Sequence, residues 1–278
     1  MGFTAWTLFG QMTTTIKNQA VTILLNQVFN PLIVTARVIA NNIAEQISIF
    51  SNNFNISLYP SIIKSYAAES KDRMYSLIFN GSKITFFLMW IFALPLFWEM
   101  DNILLFWLKN PPAEASLFAR LAMIELLVHS ISLPLTTAAR APGRMKVYEL
   151  ILGSMQISIF IISWFVLVMG GQAYSVFVVA IIISIIMFIT RLLIVRGLID
   201  ISLKLFCNKV IMPVLTIVIF SIILSFVVHI SLPNGIFFTF LSIFLNILIS
   251  IILIYFLGVS KDERKSIINN IVSQAIKK

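Results

Sequence analysis

Apolar runs of about 20 residues recur along the whole chain, and that length predicts helices able to cross the hydrocarbon core of a bilayer. About eight are expected, near residues 7–29, 31–57, 76–98, 116–137, 147–169, 175–193, 210–230 and 235–257. Between them stand breakers such as Asn30-Pro31, Pro60, Asn110-Pro111-Pro112, Ala141-Pro142-Gly143, Gly170-Gly171 and Leu232-Pro233-Asn234-Gly235, which predict short connections between antiparallel helices. The longest connection is expected near residues 61–76. Pro134 predicts a kink in the fourth helix, tolerated in a membrane where neighbours re-satisfy the freed carbonyl. The expected fold class is all-α: a polytopic membrane protein of about eight transmembrane helices. Residues 259–278 place Ile267, Ile268, Ile271, Val272 and Ile276 at helical spacing among Lys and Asn, which fits a cytoplasmic amphipathic tail or a solvated helix end.

The runs are unequal. The last four are rich in Ile, Val, Phe and Leu and almost free of charge until their ends. The first two carry polar stripes instead. In the first, Gln11, Thr14, Asn18, Thr22 and Asn26 fall at three- to four-residue steps, with Lys17 beside them; in the second, Arg37, Asn41, Glu45, Ser48, Asn52 and Asn55 share one helix face. A charge at mid-bilayer costs about 2.5–3.5 kcal/mol on insertion scales, so these stripes must face water, a partner helix or a ligand. Two readings of Lys17, Arg37 and Glu45 stand open: a network locking two helices together, or the lining of a polar transport cavity. Two cations against one carboxylate leave an excess of positive charge that an anionic ligand would offset. In the fourth helix Glu125 and His129 stand four residues apart, with Arg120 just before them, and could form either a proton relay or a self-satisfied structural pair. His229 at a helix end is expected to be interfacial.

Composition strengthens the membrane reading. The chain has 278 residues, 59% hydrophobic and 11% charged, with a mean hydropathy of +0.99 and a formal net charge of +9. The basic residues sit in connections rather than on exposed basic-aromatic patches, which points away from nucleic acid as a partner. Lys64, Lys71 and Arg73 follow the second run, Arg140, Arg144 and Lys146 the fourth, and Arg196, Lys204 and Lys209 the sixth. The alternate connections hold only Lys109, so both termini are expected in the cytoplasm. A first apolar run that carries Lys17 and no small-residue cleavage site predicts no signal peptide.

Catalytic chemistry is not expected. The sequence has no phosphate-binding glycine loop, no nucleophile elbow and no carboxylate pair at metal spacing; Glu99 with Asp101, and Asp262 with Glu263, are expected to be solvated at membrane edges. Cys207, alone, can form neither an intrachain disulfide nor a thiolate metal motif. No cofactor and no metal are expected.

Several stretches carry a resemblance. Trp6-Thr7-Leu8-Phe9-Gly10-Gln11 opens a polar helix; Asn53-Phe54-Asn55-Ile56-Ser57-Leu58-Tyr59-Pro60 is followed by Ile63-Lys64-Ser65-Tyr66-Ala67. Leu104-Leu105-Phe106-Trp107-Leu108-Lys109-Asn110-Pro111 and Ala138-Ala139-Arg140-Ala141-Pro142-Gly143-Arg144-Met145-Lys146-Val147-Tyr148-Glu149 complete the set. In order and spacing they resemble the C-terminal half of an O-antigen or lipid-linked oligosaccharide flippase of the multidrug/oligosaccharidyl-lipid/polysaccharide exporter superfamily. The resemblance implies two helical lobes rocking about a central cavity, of which this chain covers the C-terminal lobe and trailing helices. Residues 1–198 would be a six-helix lobe, 199–258 two additional apolar transmembrane helices and 259–278 the tail. The N-terminal lobe is missing from the stretch that carries the resemblance, so either the chain is a truncated product, or another polypeptide or a second copy completes the path.

By the same resemblance the protein is no enzyme, sits in the bacterial plasma (inner) membrane and translocates an undecaprenyl-pyrophosphate-linked oligosaccharide for surface polysaccharide synthesis. Its partners are the lipid-linked oligosaccharide and membrane lipids. Arg37 and Lys17 would hold the pyrophosphate, Asn41, Asn52 and Asn55 the sugar, and Glu45 and Glu125 would couple an ion. The alternatives are an organic-cation antiporter of the same fold, or a non-transporting membrane scaffold or inactive fragment.

Overall fold

The computed structural model describes residues 3–233 and 235–259, and the tail expected to be amphipathic lies almost wholly outside them. The described residues are helical with short connections and contain no strand: α1 Phe3–Val28, α2 Pro31–Ala67, α3 Lys71–Leu108, α4 Ala115–Ile131, α5 Leu133–Arg140, α6 Met145–Val168, α7 Ser175–Ile199 and α8 Leu203–Phe206. A π-helical turn, Cys207–Ile211, joins α8 to α9 (Met212–Ser231); α10 (Ile236–Leu253) ends in a second π-turn, Ile254–Gly258. Successive helices run up and down, giving one end of the bundle with the α2–α3, α5–α6 and α7–α8 connections and an opposite end with the α1–α2 and α3–α4 connections.

Five of these helical segments are long and apolar enough to cross a membrane, and α4 with α5 makes a sixth, bent by 40°. Large aliphatic and aromatic side chains such as Ile182, Ile189, Leu215, Phe220 and Phe244 stand exposed along α7, α9 and α10, a surface suited to lipid rather than water. α1 and α2, at 26 and 37 residues, have the length but not the hydropathy. Their amides and hydroxyls are the reason.

Local chemistry sets the helix ends. Asn30 caps α2, its Oδ1 accepting from the Ile33 amide at 3.1 Å, with Pro31 at the first helical position. Pro60 does not end α2, and the connection expected over residues 61–76 shrinks to Ala68, Glu69 and Ser70, with Glu69 at φ 54°. At 1.5 Å per residue, α2 and α3 are each about 55 Å long, well beyond a hydrocarbon core of about 30 Å. Their excess length forms a helical hairpin that carries Lys64, Lys71 and Arg73.

α1 packs along α6, α2 between α3 and α4, and α7 against α4, α5 and α6. On α2, Ala36, Ala40 and Ala44 are fully buried, and small side chains at four-residue steps let neighbouring backbones approach closely. The polar stripe of α2 lies one residue on from that alanine stripe, turned about 100° away. α9 and α10 lie against α3, where Trp90 Nε1 donates to Ser221 Oγ at 2.9 Å. They contribute nothing to the cavity walls described next.

The α4–α5 break follows from Pro134, whose missing N–H frees the carbonyl four residues earlier, on Ser130. Thr85 Oγ1 of α3 donates to that carbonyl at 2.8 Å, and Ser51 of α2 donates to the Thr85 carbonyl at 2.6 Å. Beside it, Arg191 of α7 donates to Ser132 Oγ. The kink is thus tied to three other helices.

Candidate functional site: a cationic cavity

A cavity of about 330 Å³ lies at mid-bundle between α1, α2, α4 and α7, with Gln156 and Ile159 of α6 as part of its wall. A second, of about 290 Å³, adjoins it toward the α5–α6 connection, and Thr14, His129, Gln156 and Arg191 border both. Thr14, Glu45 and Asn52 are exposed at the rim of the first. The polar stripes of α1 and α2 therefore converge on one space.

All seven residues singled out by sequence reach this region: Lys17, Arg37, Asn41, Glu45, Asn52 and Glu125 border the first cavity and Asn55 the second. Their pairing differs from the expected network. Lys17 Nζ meets Glu125 Oε1 at 3.3 Å, with side chains 10% and 21% exposed, tying α1 to α4. Neither Arg37 nor Glu45 joins that pair. Arg37 is 6% exposed; its Nε donates to Thr22 Oγ1 at 3.4 Å and its guanidinium lies over the Phe177 ring at 5.3 Å. The ring face attracts the cation but neutralises no charge. Asn55 Oδ1 accepts from Thr137 Oγ1 at 3.5 Å.

Sequence reasoning passed over Arg191, which is 7% exposed, binds Ser132 and leaves its Nε without a partner among the described residues. A lone charge inside an otherwise apolar run was the available signal. It also assigned Arg140 to a loop and left Glu149 and Gln156 without a role; all three border the second cavity. Glu125 and His129 line the first cavity together but do not bond each other, and Arg120 belongs elsewhere, donating to Asp101 at 2.6 Å and the Phe97 carbonyl at 2.8 Å. His229 and Glu99, expected at an interface, face each other at 3.4 Å, and Glu99 is buried where Asn102 also donates to it.

Four cations thus border the joined cavities: Lys17, Arg37, Arg140 and Arg191. Only Lys17 has a carboxylate within ion-pair distance among the described residues. Counted along their helices at 1.5 Å per residue, they stand at different depths: Arg140 at the α5–α6 connection, then Arg191 about 12 Å in, Lys17 about 21 Å in, and Arg37 about 9 Å from the opposite end. They form a ladder along the bundle axis. Among the described residues no group of three or more His, Cys, Asp or Glu could hold a metal ion, and Cys207 is exposed and free. No family model, curated protein or solved structure matches the chain. The cavity must be read from its own chemistry.

Proposed function

We propose that the chain is one lobe of a membrane transporter that moves a glycan on an undecaprenyl pyrophosphate carrier from the cytoplasmic to the outer leaflet of the bacterial plasma membrane. The observation that carries this reading is the pair of buried guanidiniums, Arg37 and Arg191, that border one polar cavity, neither of them within ion-pair distance of a carboxylate among the described residues. A guanidinium presents a planar fork that matches phosphate oxygens two at a time, and here two such forks lie at different depths of one path. A diphosphate passing from Arg140 to Arg191 and on to Arg37 would keep a cation within reach throughout. Asn41, Asn52, Asn55 and Gln156 supply amide donors and acceptors for sugar hydroxyls along the same walls.

In this reading the eight long helical segments are the spans of a lobe with a MATE-like fold and its two trailing helices, with both termini in the cytoplasm. The missing wall, beyond the rim where Glu45 and Asn52 are exposed, comes from a second polypeptide or a second copy. Export of organic cations fits less well, because four cations border the joined cavities against three carboxylates, one of which, Glu125, is held by Lys17.

Complementation of a flippase-deficient bacterium tests the proposal, with membrane insertion checked in parallel and the upstream lobe co-expressed where the chain alone gives no display. Restored surface polysaccharide that disappears in Arg37→Glu, while insertion persists, is the expected result. Full display by the inserted charge-reversed protein would overturn the cationic-cavity reading.

A further inference from the structure

The second cavity contains a carboxylate that the transport reading does not use. Glu149, on the first turns of α6, is 8% exposed and makes no hydrogen bond or ion pair among the described residues. Its position depends on Gly10 of α1, where an added Cβ would stand 2.0 Å from Glu149 Oε2. The carboxylate therefore rests against bare α1 backbone. Facing the same space are Arg140 from α5, Arg191 from α7, His129 from α4 and Tyr148 from α6 itself; α1 and α2 contribute only uncharged groups there. Among the described residues Arg140 Nε and Arg191 Nε are both buried without a partner, and neither guanidinium lies within ion-pair distance of Glu149.

Two forked cations and a carboxylate held apart around about 290 Å³ of space present an anion with a conflict. The guanidiniums attract it; the ionised carboxylate beside them repels it. Taking up a proton removes the repulsion and converts an acceptor into a donor for the incoming oxygen.

We infer that Glu149 is a proton-coupling site: a phosphate-bearing anion entering between Arg140 and Arg191 binds together with one proton, which passes from solvent to the Glu149 carboxylate and returns when the anion leaves. No covalent bond to the ligand forms or breaks. The inference rests on the anion-transport reading of the cavity, and it assigns the coupling proton to Glu149 rather than to Glu45 or Glu125. Linkage makes the effect reciprocal: anion binding raises proton affinity, and lower pH tightens anion binding by the same factor.

The test uses the full chain in detergent or nanodiscs with farnesyl pyrophosphate as probe. Wild-type, Glu149→Gln and Glu149→Asp proteins are compared between pH 5.5 and 8 by affinity and by proton uptake, measured calorimetrically in buffers of different ionisation heat. The ligand's own titration is common to all three and cancels in the comparison. Wild-type affinity is expected to fall with rising pH more steeply than that of Glu149→Gln, by up to about tenfold per pH unit for one coupled proton. Glu149→Gln should bind about tenfold tighter than wild type at pH 8, take up about one proton fewer, and keep this difference in a His129→Gln background. If Glu149→Gln does not fold, difference infrared spectra of wild type should show a protonated-carboxyl band on probe binding, displaced in Glu149→Asp. Equal pH profiles and equal proton uptake, or no such band, would overturn the inference while leaving the anion site intact; failure of every protein to bind the probe would overturn both.

Discussion

The contact between Lys17 and Glu125 gives a sharp test of how α1 is held. The ammonium and carboxylate stand 3.3 Å apart with side chains only 10% and 21% exposed, so removing one partner leaves the other in a poorly solvated place. Orphaning one member of a buried pair typically costs about 3–5 kcal/mol. Because both groups border a cavity that can hold water, the cost falls to the bottom of that range or just below it, and Lys17→Met or Glu125→Gln should each destabilise by about 2–3 kcal/mol. The double variant leaves no orphaned charge and should return to within about 1 kcal/mol of the parent, a coupling of about 3 kcal/mol or more. Reversible unfolding in mixed micelles, or steric trapping in bicelles, measures all three proteins. Additive losses, with coupling below about 0.5 kcal/mol, would refute an ion pair of this strength. The same cycle sorts function from architecture: the double variant should keep most of its affinity for farnesyl pyrophosphate, whereas Arg191→Gln should lose about tenfold or more, as for a hydrogen-bonded charge worth about 1.5–3 kcal/mol.

Three other positions are predicted to respond unequally. Gly81 lies where α3 meets α2 and α5, with an added Cβ 2.7 Å from Leu58 Cδ1 and 3.1 Å from Pro134 Cγ; Gly81→Val should destabilise by about 1–3 kcal/mol through overpacking, and a neutral result in the same unfolding assay would show that the kink can shift freely. On α9, Ser221→Ala strands the buried Trp90 N–H and should cost about 1–2 kcal/mol, while Ser225→Ala removes a fully buried hydroxyl that has no partner among the described residues and should be neutral or stabilising. Equal losses at the two serines would refute the assignment.

How much of this was legible in the sequence depends on whether the signal was local. The stripe Arg37, Asn41, Glu45, Ser48, Asn52 shows itself through helical spacing alone, and the Pro134 kink through one missing N–H. The helical hairpin over residues 61–76 did not, because Pro60 there is outweighed by contact between α2 and α3. Ion-pair partners were illegible for another reason: which carboxylate meets Lys17 is decided 108 residues away. Arg191 and Glu149 were misjudged for their neighbourhoods, one inside an aliphatic run and the other beside a basic connection, although each points into the same space as the residues that were found.

The unequal treatment of four cations is the strongest argument that the cavity is built for a ligand rather than for rigidity. A bundle that used buried charge only to lock its helices would pair each cation, because an unpaired buried charge is destabilising by several kcal/mol. This bundle pairs Lys17 and leaves Arg37, Arg140 and Arg191 without carboxylates, although Glu149 shares a cavity with two of them. Retaining such an arrangement requires water in the cavity between ligands, which the exposed rim at Thr14, Glu45 and Asn52 admits. Under the proposed function, an entering anion would displace water from guanidiniums already oriented by Thr22, Phe177 and Ser132, so little side-chain ordering would be left to oppose binding. The free energy withheld from the resting fold is what becomes available to hold the anion.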